Sequence, residues 1–164
     1  TIAVSINISI IQILENGFAS RLLNMINDMH LNPENVEIEL TESVFSIERE
    51  EINTVINELK AAGIKVLIDD FGTGYSSLSY LNDMSVNELK IDRSFIWDIE
   101  KNNKNKMISN TIILLAKQLG LKVTAEGVEN LEQLTILKEM KCDIAQGYHF
   151  SKPVPKERID EMIH

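Results

Sequence analysis

The sequence predicts an α/β fold of parallel strands joined by helical crossovers. Three observations predict it. Short β-branched runs alternate with segments of helical period. Each run ends in polar residues, so polar groups collect at the carboxyl end of every strand and not at one crevice. No G-x-G-x-x-G follows the first run, which weakens a dinucleotide-binding sheet. An open doubly wound sheet and an eight-stranded (β/α)8 TIM-like barrel both use such units, and the spread of polar strand ends favours the barrel.

Candidate strands cover residues 3–9 (AVSINIS), 36–41 (VEIELT), 65–71 (KVLIDDF), 88–92 (ELKID), 122–128 (KVTAEGV) and 143–150 (DIAQGYHF). After the first, Phe18, Leu22, Met25, Ile26 and Met29 fall on one helical face. After the second, Ile52, Val55, Ile56 and Leu59 do so before a stop at Gly63. One or two turns are expected around residues 77–81, and residues 101–106 (KNNKNK) read as a polar loop. Ile108, Ile112, Leu115 and Leu119 form a third stripe, closed by Gly120. Leu131, Leu134, Leu137 and Met140 form a fourth, behind Asn130 and Gln133 at capping-box spacing. A last helix over 156–163 is entered through Pro153 and Pro155.

At 164 residues the chain reads as a single domain, 1–164. A (β/α)8 barrel takes about 250 residues and eight strands. Six strands here imply either an open sheet or an incomplete barrel, with about six of eight units and its N-terminal strands lacking. Asp and Glu outnumber Lys and Arg 25 to 16, for a net charge of −9. That charge argues against DNA or RNA as partners, but not against a phosphate substrate handled through metal cations. Cys142 is the single cysteine, and no basic-then-apolar leader opens the chain. The expected location is cytoplasmic, either free or as the cytoplasmic part of a membrane-anchored sensor.

The strand ends supply Asn7, Glu39, Asp69, Asp70, Lys90, Asp92, Glu126, Glu129 and Gln146. Collected at one mouth they form a ring of hard oxygen ligands, tolerable when cations neutralise it. Such ligands suit Mg²⁺ or Mn²⁺, and two such ions can clamp a phosphoester displacement. Asp69 and Asp70 are the candidates for bridging both, although adjacent strand residues point apart unless the strand is already turning. Each residue also has an ordinary role. Asn7 can be a hydrogen-bonded strand residue, Glu42 a helix-end carboxylate, Lys90 a snorkelling lysine, and Asp69 to Gly74 a tight turn. Their succession at strand ends outweighs each singly. No His-x-x-x-His pair, nucleophile elbow or kinase phosphate loop accompanies them.

These residues also carry a resemblance. Ile68-Asp69-Asp70-Phe71-Gly72-Thr73-Gly74-Tyr75-Ser76-Ser77-Leu78 resembles the most diagnostic stretch of the EAL domains, bacterial phosphodiesterases of cyclic di-GMP. Ser5-Ile6-Asn7-Ile8-Ser9, Glu39-Leu40-Thr41-Glu42-Ser43, Leu89-Lys90-Ile91-Asp92, Ala125-Glu126-Gly127-Val128-Glu129 and Gln146-Gly147-Tyr148 resemble further motifs of the family, in the family's order. The resemblance implies a (β/α)8 barrel that hydrolyses cyclic di-GMP to pGpG with two Mg²⁺ or Mn²⁺ ions. It implies Asn7, Glu39 and Asp69 at the first metal, and Asp69 and Asp70 at the second with Glu126 beside it. Lys90 would orient the water and Glu126 would be the general base. Asp92 and Gln146 would complete the polar shell, with Glu129 behind them. Glu42 would brace the loop of Phe71, Gly72, Thr73, Gly74, Tyr75 and Ser76, which the family couples to dimerisation. A homodimer and upstream sensory or cyclase domains are implied as partners. The Glu-Ala-Leu tripeptide that names the family, and supplies one metal-ligand glutamate, is absent from the sequence. The alternative reading is therefore a catalytically inactive cyclic di-GMP-binding or dimerisation module.

Overall fold

The structure is a computed structural model describing residues 2–46, 49–74 and 78–163. Tyr75 and Ser76 of the expected loop lie outside the described residues. Strand β1 (Val4–Asn7) leads into the short helix α1 (Ile10–Ile13) and then α2 (Phe18–Asp28). β2 (Val36–Thr41) is followed by α3 (Arg49–Ala61), β3 (Lys65–Phe71) by α4 (Leu78–Asp83), and β4 (Glu88–Ile91) by α5 (Arg93–Ile96) and α6 (Asn103–Gln118). β5 (Lys122–Ala125), α7 (Leu131–Glu139), β6 (Ile144–Ala145) and α8 (Lys156–Ile163) complete the described chain.

All strand pairs are parallel, and the sheet order is β1-β2-β3-β4-β5-β6. A doubly wound sheet reverses its order at a switch point. This one never reverses, so it is six units of a (β/α)8-type barrel, curled as a half-barrel.

The strand period of two divides the sheet into unlike faces. Val36, Ile38, Leu40, Val66, Ile68, Leu89, Ile91, Val123 and Ala125 are buried and share the helix-covered face. Ile52, Ile56 and Leu59 of α3 and Ile112, Ile113 and Ala116 of α6 join them in one core. Full burial of each large aliphatic side chain contributes about 1.5–3 kcal/mol. The opposite, concave face carries Glu37, Glu39, Lys65, Asp69, Glu88, Lys90, Lys122 and Thr124. The core thus lies outside the curled sheet, and the charges lie inside it.

Several expected boundaries change because caps compete with strands. β1 stops at Asn7, since Ser9 caps α1 in a capping box with Gln12. β4 stops at Ile91, since the Asp92 carboxylate accepts from the Ser94 N–H as the cap of α5. β5 ends at Ala125, three residues early, where the backbone turns to a positive φ of 71° at Gly127. β6 keeps only two residues of the expected eight. The 101–106 loop is partly helix, because Asn102 accepts the N–H groups of Lys104 and Asn105 and starts α6. Asn130 and Gln133 form the capping box their spacing predicts. Met25, Met29 and Leu131, expected in the apolar stripes, are exposed.

Candidate functional site

The concave face gathers its charges around Lys90. Its Nζ lies 2.8 Å from Glu39 Oε1, 3.2 Å from Asp69 Oδ1 and 2.7 Å from Glu126 Oε1. These partners come from β2, β3 and the end of β5, and all four side chains are largely buried. One ammonium reaches both flanking strands because the sheet curls toward this face. Glu126 sits just past β5, where its N–H donates to the Ile91 carbonyl at 3.1 Å.

Asp69 and Asp70 resolve the pointing problem through backbone conformation. Asp70 has a positive φ of 54°, in the left-handed region that aspartate tolerates better than most residues. The β3–β4 register shifts between Ile68 and Phe71 at the same place. Asp70 N–H donates to Asp69 Oδ1 at 3.0 Å, and Thr73 Oγ1 donates to the Asp70 carbonyl at 2.9 Å. The turn brings one carboxylate oxygen each of Asp69, Asp70 and Glu126 within 4.8 Å of one another.

The loop beyond is anchored from β2. Buried Glu42 accepts the N–H groups of Gly72 and Gly74 through Oε2, both at 2.9 Å. Phe71 is buried edge-on against Phe45. Gly72 has φ +101°, and a Cβ there would stand 2.9 Å from the Phe95 ring.

The electrostatics follow from this crowding. Burial pulls the Lys90 ammonium down, but its hydrogen bonds to Glu126 and Glu39 and the nearby negative charges outweigh it, so its pKa is raised. Burial raises Glu126, and Lys90 offsets that only in part. Asp70 is raised by burial, then by the charges of Asp69 and Asp92 and a hydrogen bond with Asp92. Carboxylates that hold protons more tightly than usual mark a place short of positive charge. Hard oxygen donors at this spacing fit a divalent cation, and Asp69, Asp70 and Glu126 are the residues that would hold it.

The structure thus brings Glu39, Asp69, Asp70, Lys90, Asp92 and Glu126 together. Asn7 is exposed at the end of β1, in register with Glu39. Gln146 instead lines a cleft with Ile2, Tyr148 and Phe150, and Glu129 lines a groove with Arg93 and Trp97. Neither side chain bonds to the carboxylate cluster among the described residues. Sequence reasoning missed the wider work of Gln133. Besides capping α7, its amide donates to the Trp97 carbonyl at 2.9 Å and accepts the Glu129 N–H at 2.7 Å. The capping-box spacing was its one visible signal.

Residues 1–153 match the sequence profile of the family described as EAL domain. The signaling protein YkoW of Bacillus subtilis is 42% identical over 162 residues, covering 99% of this chain and 20% of YkoW. MucR of Pseudomonas aeruginosa, a bifunctional diguanylate cyclase/cyclic di-GMP phosphodiesterase, is 35% identical over 95% of this chain and 23% of MucR. The MucR phosphodiesterase in complex with c-di-GMP superposes with a TM-score of 0.90 at 34% identity, covering 96% of this chain and 64% of that one. BlrP1 of Klebsiella pneumoniae, solved as a manganese/cyclic di-GMP complex, superposes with a TM-score of 0.82 at 31% identity, over 92% of this chain and 39% of BlrP1. The chain spans about a fifth of the length of these curated relatives. With six motifs in order, a sequential parallel sheet and a profile match over nearly all its length, this chain belongs to the EAL domain family.

Proposed function

We propose that this chain carries the metal-binding and hydrolytic residues of a cyclic di-GMP phosphodiesterase that forms pGpG in signal transduction. One observation carries the reading: Glu39, Asp69 and Glu126 converge on Lys90 while Asp70 completes a three-oxygen cluster with Asp69 and Glu126. The complexes of MucR with c-di-GMP and of BlrP1 with manganese and cyclic di-GMP support the ligand and the metal class.

In this reading Asn7, Glu39 and Asp69 would hold one divalent cation, Mg²⁺ or Mn²⁺, and Asp69 and Asp70 would hold the other with Glu126 beside it. Cations held there would lower the pKa of water and neutralise the phosphodiester charge. Glu126, raised by burial, accepts the proton of the attacking water as general base. Lys90 stays charged, orients that water and keeps three carboxylates from repelling. Asp92 and Gln146 contribute polar contacts, Glu129 stands behind them, and Glu42 braces the loop through the N–H groups of Gly72 and Gly74. Water attacks phosphorus in line as the P–O3′ bond breaks, and the leaving 3′ oxygen takes up a proton to become the 3′ hydroxyl of pGpG. A homodimer, upstream sensory or cyclase domains and a cytoplasmic site of action belong to the same proposal.

A second reading, a binding module without turnover, is favoured by Lys90 already satisfying three of the carboxylates. Turnover separates the two. The protein containing this chain, with Mn²⁺, is expected to convert cyclic di-GMP to pGpG by chromatography, and Glu126→Gln to lose about 10²–10⁴-fold in rate. Binding by calorimetry with no pGpG supports the module; an unchanged Glu126→Gln rate removes Glu126 as base.

A further inference from the structure

A groove of about 310 Å³ runs beside the carboxylate cluster, lined by Arg93, Ser94, Trp97, Gly127 and Glu129. Its two walls are α5 and the turn after β5. Asp92 precedes Arg93 and Glu126 precedes Gly127, so each wall continues directly from a residue of the cluster. The walls are pinned together. Buried Gln133 bonds the Trp97 carbonyl on one side and the Glu129 N–H on the other. Gly127 presses on Arg93, since a Cβ at Gly127 would stand 2.6 Å from Arg93 Cβ. The groove therefore has a set width. The Ser94 hydroxyl donates to the Asp92 carboxylate, but the side chains of Arg93 and Glu129 make no ion pair or hydrogen bond among the described residues, and the Trp97 side chain is exposed.

A planar indole, a guanidinium fork and a carboxylate make a specific combination. Guanine offers acceptors at O6 and N7 and donors at N1 and N2 on adjoining edges. An arginine fork matches the acceptor pair, a carboxylate matches the donor pair, and an aromatic face stacks on the ring. Adenine presents a donor where guanine has O6, so it meets the arginine unfavourably.

We infer that the groove between α5 and the 127–129 turn is a subsite for one guanine base, with Trp97 stacking, Arg93 reading the acceptor edge and Glu129 the donor edge. Gln133 is a positioning residue that ties the two walls together. The inference rests on the proposed function, since it places one base of the dinucleotide beside the proposed reacting phosphodiester.

Trp97 is the only tryptophan in the chain, so its fluorescence reports on this groove directly. The 164-residue chain is titrated with cyclic di-GMP, guanosine monophosphate and adenosine monophosphate, with cyclic di-GMP binding followed in parallel by calorimetry. Saturable quenching by both guanine nucleotides is expected, with adenosine monophosphate weaker by about tenfold or more. Arg93→Ala and Glu129→Ala, both exposed positions, are each expected to weaken quenching by about tenfold. Equal quenching by adenine overturns the subsite. Cyclic di-GMP binding in the calorimeter with no change at Trp97 also overturns it, and leaves the phosphodiesterase reading standing. Quenching by guanosine monophosphate without cyclic di-GMP binding keeps the subsite and removes that reading, and no response to either nucleotide removes both.

Discussion

Lys90 shows how one side chain settles a site. In the sequence it stands among apolar neighbours, where a snorkelling surface lysine and a buried cation look alike. The curl of the sheet decides between them, and no local pattern encodes that curl. Asp70 was equally unreadable: its direction depends on a left-handed backbone that Asp-Asp-Phe-Gly permits but does not dictate. The types of the site residues were legible because strand ends repeat them; their directions were not. Removing the charge of Lys90 while keeping its bulk would leave Glu39, Asp69 and Glu126 facing one another in a buried place. Breaking a buried ion pair from one side costs about 3–5 kcal/mol. Lys90→Met is therefore expected to lose about that much in urea unfolding with chelator present. Divalent cations can replace the missing charge, so Mn²⁺ is expected to stabilise the variant more than the wild type. Equal Mn²⁺ effects on both proteins would show that Lys90 and the metal do not share these carboxylates.

At the scale of elements, strand centres were readable and strand ends were not. A β-branched run with helical segments on both sides has one reading, and each of the six expected runs contains an observed strand. Ends depend on side chains that can either extend a ladder or cap a helix, as Ser9 and Asp92 do. β6 shows a different limit. Its expected continuation to residue 150 fails because the chain folds back onto the segment after β5: Val128 N–H donates to the Gln146 carbonyl at 3.0 Å, and His149 N–H donates to the Val128 carbonyl at 2.9 Å. Gly147 lies so close that a Cβ would stand 2.2 Å from the Val128 carbonyl oxygen. The blocking atoms are backbone, so no rotamer change relieves the clash. Gly147→Ala is expected to destabilise by about 1–3 kcal/mol, as overpacking does, with a matching fall in the urea midpoint. A midpoint within error of the wild type would mean that the crossing can spread at little cost.

Across the whole molecule, a folded chain with its apolar core outside the sheet must satisfy a charged interior. The mouth does so through Lys90; toward the other end, Glu37 pairs with Lys65 at 2.7 Å and the Thr124 hydroxyl donates to Glu88. Alternation of polar and apolar residues in each strand announced two faces, but gave no sign that the charged face would be the enclosed one. At Glu88 the balance is incomplete. Burial raises its pKa, and the Thr124 hydrogen bond and the charges of Lys122 and Lys65 do not cancel that. The sign follows from linkage. A carboxyl whose pKa is higher folded than unfolded binds its proton more tightly in the native state, so its contribution improves as pH falls through the raised value. Wherever the group is ionised, its buried charge works against folding. Glu88→Gln removes that charge and keeps an oxygen for the Thr124 hydroxyl. The variant is therefore expected to melt above the wild type at pH 7. The gap should narrow as pH falls and the wild-type carboxyl takes up its proton and becomes neutral as well. Thermal melts of both proteins across that range test it: a gap independent of pH would assign the effect to packing, and a variant melting lower at pH 7 would show that Lys65 and Lys122 need the Glu88 charge more than burial opposes it.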